Sequence, residues 1–235
     1  EKRESTKCVT LRISAFDPNI MNMKRMCIMP DNKEPEIIYN PATLAEMSRI
    51  CEASAAYNYK RRIFTIDDIL ALPEGVRAEL IDGQIYFMAT PTRTHQKIAG
   101  EMHYIVKHYI KTHGGACEAY IPPFAVYLNA DDSIYVEPDL VVICDTDKLN
   151  EKGCHGAPDW VVEVLSPSSK KLDQFLKLQK YRAAGVREYW IIDPEKRIIT
   201  VHLFEDPERV DTYSFEDNVP SGLYPDLFIR MADSI

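Results

Sequence analysis

The sequence predicts an α/β protein: a mixed β-sheet flanked by helices, with a β-hairpin on its N-terminal side. Three observations predict it. Two apolar runs, E-P-D-L-V-V-I-C-D at 137–145 and A-P-D-W-V-V-E-V-L at 157–165, are short, valine-rich and bounded by turn residues, as buried strands are. A helical pattern at about 170–184 leads directly into E-Y-W-I-I-D at 188–193, the strand–helix–strand alternation of a sheet with helices packed on it. At 77–89, R-A-E-L-I-D-G-Q-I-Y-F-M-A sets Asp82-Gly83 between alternating apolar residues, which signals a hairpin.

Residues 1–60 read differently from the rest. Four prolines (Pro18, Pro30, Pro35, Pro41) interrupt them, and Met21, Met23, Met26 and Met29 follow neither strand nor helix spacing. We expect an N-terminal extension, irregular or partly helical (Pro41 to Tyr57), ordered only by a partner, with the folded domain over 61–235. Thr65 starts a short helix, with Asp67 and Asp68 in its first turn favouring the positive end of the dipole. Glu79 lies in the first hairpin strand on the face of Ile81, where an ion pair on an open face is the plain expectation. Thr92 or Thr94 caps a long helix ending at Gly114, with Ile98, Met102, Ile105, Val106, Tyr109 and Ile110 as its buried stripe. Its histidines 95, 103, 108 and 113 form no metal-binding pair and read as surface residues, His95 beside Pro91 being the exception.

Strands are expected from Cys117 to Leu128, interrupted at Pro122-Pro123, and from Ile134 to Cys144. After a polar loop, Asp159–Leu165 is another strand, and Ser166-Pro167-Ser168-Ser169 turns into the next helix. That helix should bury Leu172, Phe175, Leu176 and Ala183, leaving Asp173, Lys177 and Tyr181 together on another face. It carries a local basic patch from Lys170 to Arg187. Strands at 188–193 and 198–204 pair across Pro194-Glu195-Lys196, and one more near Thr212–Phe215 precedes a loosely patterned tail.

Composition bounds the function. The 235 residues carry a net charge of −8, 46% hydrophobic and 27% charged residues, ordinary for a globular chain. The acidic balance argues against non-specific nucleic-acid binding over the whole surface and leaves local patches to do it. No apolar run approaches the roughly 20 residues of a membrane span, and no secretory signal is read. Because the first residue is Glu, we expect the chain to begin inside a longer reading frame. The six cysteines form no C-x-x-C pair and are expected as separate reduced thiols in a cytoplasmic protein.

Asp139 and Glu163 carry the chemistry. A carboxylate in a buried strand costs free energy unless something pairs with it. Two of them in neighbouring apolar runs point to a shared cation site; the alternative is that each stands at a strand end, solvated or ion-paired. If they converge, carboxylate oxygens and a backbone carbonyl, that of Val164, select Mg²⁺ or Mn²⁺. Lys177, from the helix after the Glu163 strand, would stabilise a phosphate, with Asp173 or Tyr181 fixing its rotamer.

Residues 62 to about 205 resemble the bacterial family of putative restriction endonucleases within the PD-(D/E)XK nuclease superfamily. R-A-E-L-I-D-G-Q-I-Y at 77–86, T-H-Q at 94–96, E-P-D-L-V-V at 137–142, P-D-W-V-V-E-V-L-S-P-S-S at 158–169, D-Q-F-L-K-L-Q-K-Y at 173–181 and A-G-V-R-E-Y-W-I-I-D at 184–193 carry the resemblance. It implies a restriction-endonuclease-like core and metal-dependent DNA cleavage. Asp139 matches the PD aspartate, Glu163 the (D/E) position and Glu79 the hairpin glutamate. The lysine two residues after Glu163 is replaced by Leu165, and the resemblance implies that its role has moved to Lys177. The expectation is a Mg²⁺-dependent endonuclease on DNA, acting as a homodimer where two strands are cut and having no membrane partner. The alternatives are an inactive nuclease-fold module binding DNA or a protein, and, last, a carboxylate-pair sugar hydrolase.

Overall fold

The computed structural model describes residues 63–166, 169, 172–206 and 209–232. The expected N-terminal extension with its Pro41–Tyr57 helix, and Lys170 and Lys171 of the basic patch, lie outside them. A first helix, α1 (Ile66–Leu70), opens on a capping box in which Thr65 and Asp68 satisfy each other's ends. The hairpin follows as β1 (Ala78–Ile81) and β2 (Gln84–Phe87), with Asp82 and Gly83 both at positive φ in the turn.

The long helix α2 (Arg93–His113) is capped by the Thr92 hydroxyl, which accepts from the His95 amide, and ends at Gly114 in the left-handed region. Ile98, Met102, Val106 and Ile110 are its buried stripe. Short strands come next: β3 (Glu118–Tyr120), β4 (Val126–Tyr127), β5 (Ile134–Val136) and β6 (Leu140–Ile143). A 3₁₀ turn at Thr146–Lys148 and the hairpin of β7 (Leu149–Asn150) and β8 (Gly153–His155) precede β9 (Trp160–Val164). A π-helical segment, Leu172–Lys177, runs into α3 (Leu178–Ala184). Strands β10 (Glu188–Asp193), β11 (Ile198–Leu203), β12 (Val210–Ser214), β13 (Val219–Pro220) and β14 (Phe228–Ile229) complete the described chain.

The strands form two sheets and a ribbon. The central sheet has the order β12-β11-β10-β9-β6-β3, and its parallel pair is β9 with β10, joined by the α3 crossover. The second sheet has the order β2-β1-β5-β4-β8-β7. One face of the central sheet packs Trp160, Val162, Trp190 and Ile192 against α2 and the C-terminal residues Phe215, Ile229 and Met231. The other face packs Val141, Val161 and Ile191 against Ile81, Val136 and Tyr181 from the second sheet and α3. With both faces covered, all five residues of β9 are buried, which is why that strand reads as an unbroken apolar run interrupted by Glu163.

Several expectations are corrected. The strand expected over 134–144 is two strands in different sheets, and the strand expected over 117–128 divides likewise between β3 and β4. Pro138 has no N–H to give a ladder, so the chain changes sheets at Glu137-Pro138-Asp139, leaving Asp139 just before β6. Within 172–184 the buried stripe is Asp173, Lys177 and Tyr181, while Phe175 is 66% exposed. Their charges and hydroxyl satisfy one another against the second sheet, which offsets the loss of water. The tail is core: Leu227, Ile229 and Met231 are buried. Cys117 and Cys144 are disulfide-bonded rather than separate thiols, because β3–β6 pairing sets them side by side, while Cys154 is free and buried. No helix among the described residues is long and apolar enough to cross a membrane.

Candidate active site

The register of β6 on β9 pairs Leu140 with Val162. One step further along the same diagonal, Asp139 comes opposite Glu163, so two acids start from neighbouring strand ends on one face. The Asp139 Oδ2 atom accepts the Val164 amide hydrogen at 2.8 Å and lies 3.1 Å from His95 Nε2. His95, the histidine set apart from the surface ones, comes from the first turn of α2 and is buried. Burial lowers the His95 pKa, but the Asp139 carboxylate outweighs it and the net shift is upward.

Glu163 sits in a second, deeper cluster. Its Oε1 accepts from Lys177 Nζ at 3.0 Å and from the Tyr181 hydroxyl at 2.9 Å. Tyr181 therefore holds the acid rather than the Lys177 rotamer. The same ammonium lies 2.8 Å from Glu79 Oε1 and 3.3 Å from Asp173 Oδ1. The Asp173 contact is an ion pair out of line for a hydrogen bond, and that oxygen has no hydrogen-bond partner among the described residues. Glu79, expected on an open face, is 2% exposed because its face of β1 packs against the π-helical segment that carries Lys177, and Glu163 and Lys177 are each 4% exposed.

Three acids surround one ammonium. With all ionised, the cluster holds two negative charges in excess, out of water. Burial pushes the carboxyls of Glu79 and Glu163 upward against the pull of Lys177. For Lys177, burial favours loss of the proton, yet Glu163, Glu79 and Asp173 together hold it well above the usual amine range. The three acids thus favour the charged form of the amine. Burial first and then Glu163 keep the Tyr181 hydroxyl protonated, so it donates.

Three further contacts, all made by Glu137, complete the frame, and the sequence pattern did not single that residue out. The Glu137 amide donates to Glu79 Oε1 at 3.0 Å, tying the Glu-Pro-Asp turn to β1. The Glu137 carboxylate takes Arg77 Nε at 2.8 Å and the Tyr135 hydroxyl at 2.9 Å. The signal was present in E-P-D, whose first acid is itself buried, at 7% exposure.

The donor set fits a hydrated hard cation better than a protein cage. Among the described residues no group of three or more His, Cys, Asp or Glu side chains is arranged to hold a metal. Asp139 and Glu163 each use one oxygen on protein donors, and no hydrogen bond among the described residues engages the other. Two carboxylate oxygens beside an excess of negative charge, with water and a carbonyl filling the remaining positions, is the environment Mg²⁺ accepts.

The model of the Uma2 family, described as putative restriction endonuclease, matches residues 66–232. The chain belongs to that family. The Uma2 match spans both acids, Glu79, Lys177 and the C-terminal core strands. Among solved structures, the fold is similar to a putative nuclease of DUF820 from Anabaena variabilis, with a TM-score of 0.60 and 22% identity, covering 72% of this chain and 96% of that one. That likeness supports the mixed-sheet fold expected of a Uma2 protein. No curated protein matches the chain.

Proposed function

We propose that the protein is a Mg²⁺-dependent, or Mn²⁺-dependent, endonuclease that hydrolyses DNA phosphodiester bonds. Asp139, Glu163 and the Val164 carbonyl would hold the cation, and Lys177 would lie near the scissile phosphate. The observation that carries this reading is the buried excess of carboxylate charge around a single ammonium, next to Asp139. Such an excess is costly without a further cation. When bound, a divalent cation supplies Lewis acidity, lowering the pKa of water and polarising a phosphoryl oxygen.

The chain's own residues do the rest. Tyr181 and Lys177 orient Glu163 by bonding one of its oxygens, leaving the other available. The Val164 amide fixes Asp139 in the same way. Lys177 stabilises negative charge developing on a phosphate brought against Glu163. Glu79 and Asp173 keep that amine charged and in place. DNA as substrate, which the family's description supports, belongs to the same proposal, and so do a cytoplasmic location and a homodimer for cutting two strands.

Supercoiled plasmid incubated with the protein and Mg²⁺ or Mn²⁺ should be nicked or cut, and EDTA should stop it. Asp139→Asn and Glu163→Gln, each checked for folding, should abolish cleavage; undiminished activity in either would refute the assignment. A second reading, an inactive module that keeps the nuclease fold, is favoured by Leu165 at the usual lysine position and by the acids already surrounding Lys177. It predicts DNA retention without turnover and no rise in melting temperature on adding divalent metal.

A further inference from the structure

The solvent face of α2 is basic, although the chain carries a net charge of −8. At 3.6 residues per turn, roughly, Arg93, Lys97, Lys107 and Lys111 fall within a sector of about 80°. All four are exposed, and none pairs with a carboxylate among the described residues. The helix has one acid in its 21 residues, Glu101, half-buried at the flank of this sector. Between the two basic ends lie Gly100, with no atom within 4 Å of a Cβ built on it, and Tyr104, 63% exposed. The centre of the face is therefore open at Gly100 and carries one exposed aromatic ring.

The N-terminal end of the face shares a helical turn with a residue of the candidate active site, which lies on the opposite, buried side of α2. His95, two residues after Arg93, touches Asp139. From Arg93 to Lys111 the basic track runs about 27 Å at about 1.5 Å per residue.

We propose that the exposed face of α2 is the docking surface for a nucleic-acid backbone, with Arg93 at the end of the face in the same helical turn as His95. Unpaired point charges in a row, without acids among them, complement a line of phosphates. A membrane surface is the weaker fit, because the apolar stripe of α2 is already buried in the core and none remains for insertion. The inference rests on DNA as the substrate of the candidate site, but not on cleavage.

Binding of a fluorescent 24-base-pair duplex is measured by anisotropy in EDTA, from about 50 to 200 mM KCl. The triple variant Lys97→Gln, Lys107→Gln, Lys111→Gln should bind at least about tenfold more weakly at the low-salt end. Its slope of log K against log salt should be shallower by about 2.7, near 0.9 per lysine removed. The control Lys152→Gln, Lys196→Gln, altering exposed lysines elsewhere, should leave the slope nearly unchanged. Melting temperatures should be unaltered in both, since none of the replaced side chains makes an ion pair among the described residues. Equal slopes in the wild type and the triple variant, or an equal loss in the control, would overturn the proposal. So would retention on phosphatidylserine vesicles, lost in the triple variant, without duplex binding. Duplex binding through α2 without plasmid cleavage would refute the nuclease reading alone; cleavage with an unchanged salt slope would refute the docking surface alone.

Discussion

Replacing Lys177 with Met tests the charge balance of the buried cluster. The side chain keeps most of its volume and loses the ammonium, so packing changes little while Glu79, Glu163 and Asp173 lose contacts of 2.8, 3.0 and 3.3 Å. Removing one partner of a buried ion pair costs about 3–5 kcal/mol, and an amine serving three acids belongs toward the upper end. A loss of about 4 kcal/mol lowers the folding constant by roughly a thousandfold. The loss must also depend on pH. Glu79 and Glu163 already have raised pKa values, and without Lys177 they rise further. A carboxyl whose pKa is raised by folding contributes stability that is full below its unfolded value, here 4.5, and is lost as pH rises through the folded value. The variant therefore recovers stability on acidification as the acids take up protons, by about 1.4 kcal/mol for every tenfold weakening of a carboxyl's acidity on folding. Urea titrations at pH 8 and pH 5 on both proteins measure this directly. A wide gap at pH 8 that narrows at pH 5 is expected. A gap below about 1 kcal/mol, equal at both pH values, would show that the acids are not buried charges and would remove the premise of the cation site.

Three further outcomes are expected. Gly100→Ala should stabilise by up to about 1 kcal/mol, seen as a higher melting temperature, because the position is helical and nothing crowds a Cβ there. Glu188→Ala should cost at least about 3 kcal/mol and open residues 216–227 to limited proteolysis. Its carboxylate takes the Trp190 indole, the Ser221 hydroxyl and the Gly222 and Leu223 amides, which pins the C-terminal segment to β10. His202→Phe should flatten the loss of stability between pH 7 and pH 5. Burial and then Arg182 lower the His202 pKa, so its contribution is present above the ordinary value of 6.5 and is lost as pH falls through the folded one.

Which parts of the structure were legible follows from the range of the forces involved. The hairpin, α2 and β9–α3–β10 were readable because their determinants are local: Asp82-Gly83 at a turn, the Thr92 cap, Gly114 and an apolar stripe at helical spacing. The two acids stood out for the same reason, as charges inside runs that burial makes apolar. What was not legible depends on partners distant in sequence. The Cys117–Cys144 bond needs the β3–β6 register, and the split of 134–144 between two sheets turns on one proline within a continuous apolar pattern.

The helix of Lys177 shows the limit most clearly. Hydrophobic periodicity assigns its buried face to Leu172, Phe175 and Leu176, and that rule assumes that polar residues seek water. Here water is replaced by complementary charge: Glu79 arrives from the distant N-terminal hairpin, and Glu163 from the preceding strand. Once those acids are buried, a buried ammonium costs less than an exposed one leaves behind, and the helix turns its charged side inward. Polar residues at four-residue spacing, Asp173, Lys177 and Tyr181, are then a core stripe written in charge rather than hydrocarbon. Such a stripe becomes visible in a sequence only beside unexplained acids in the neighbouring strands. Those acids and that stripe therefore have to be interpreted together, since each supplies the partner that makes burial of the other possible.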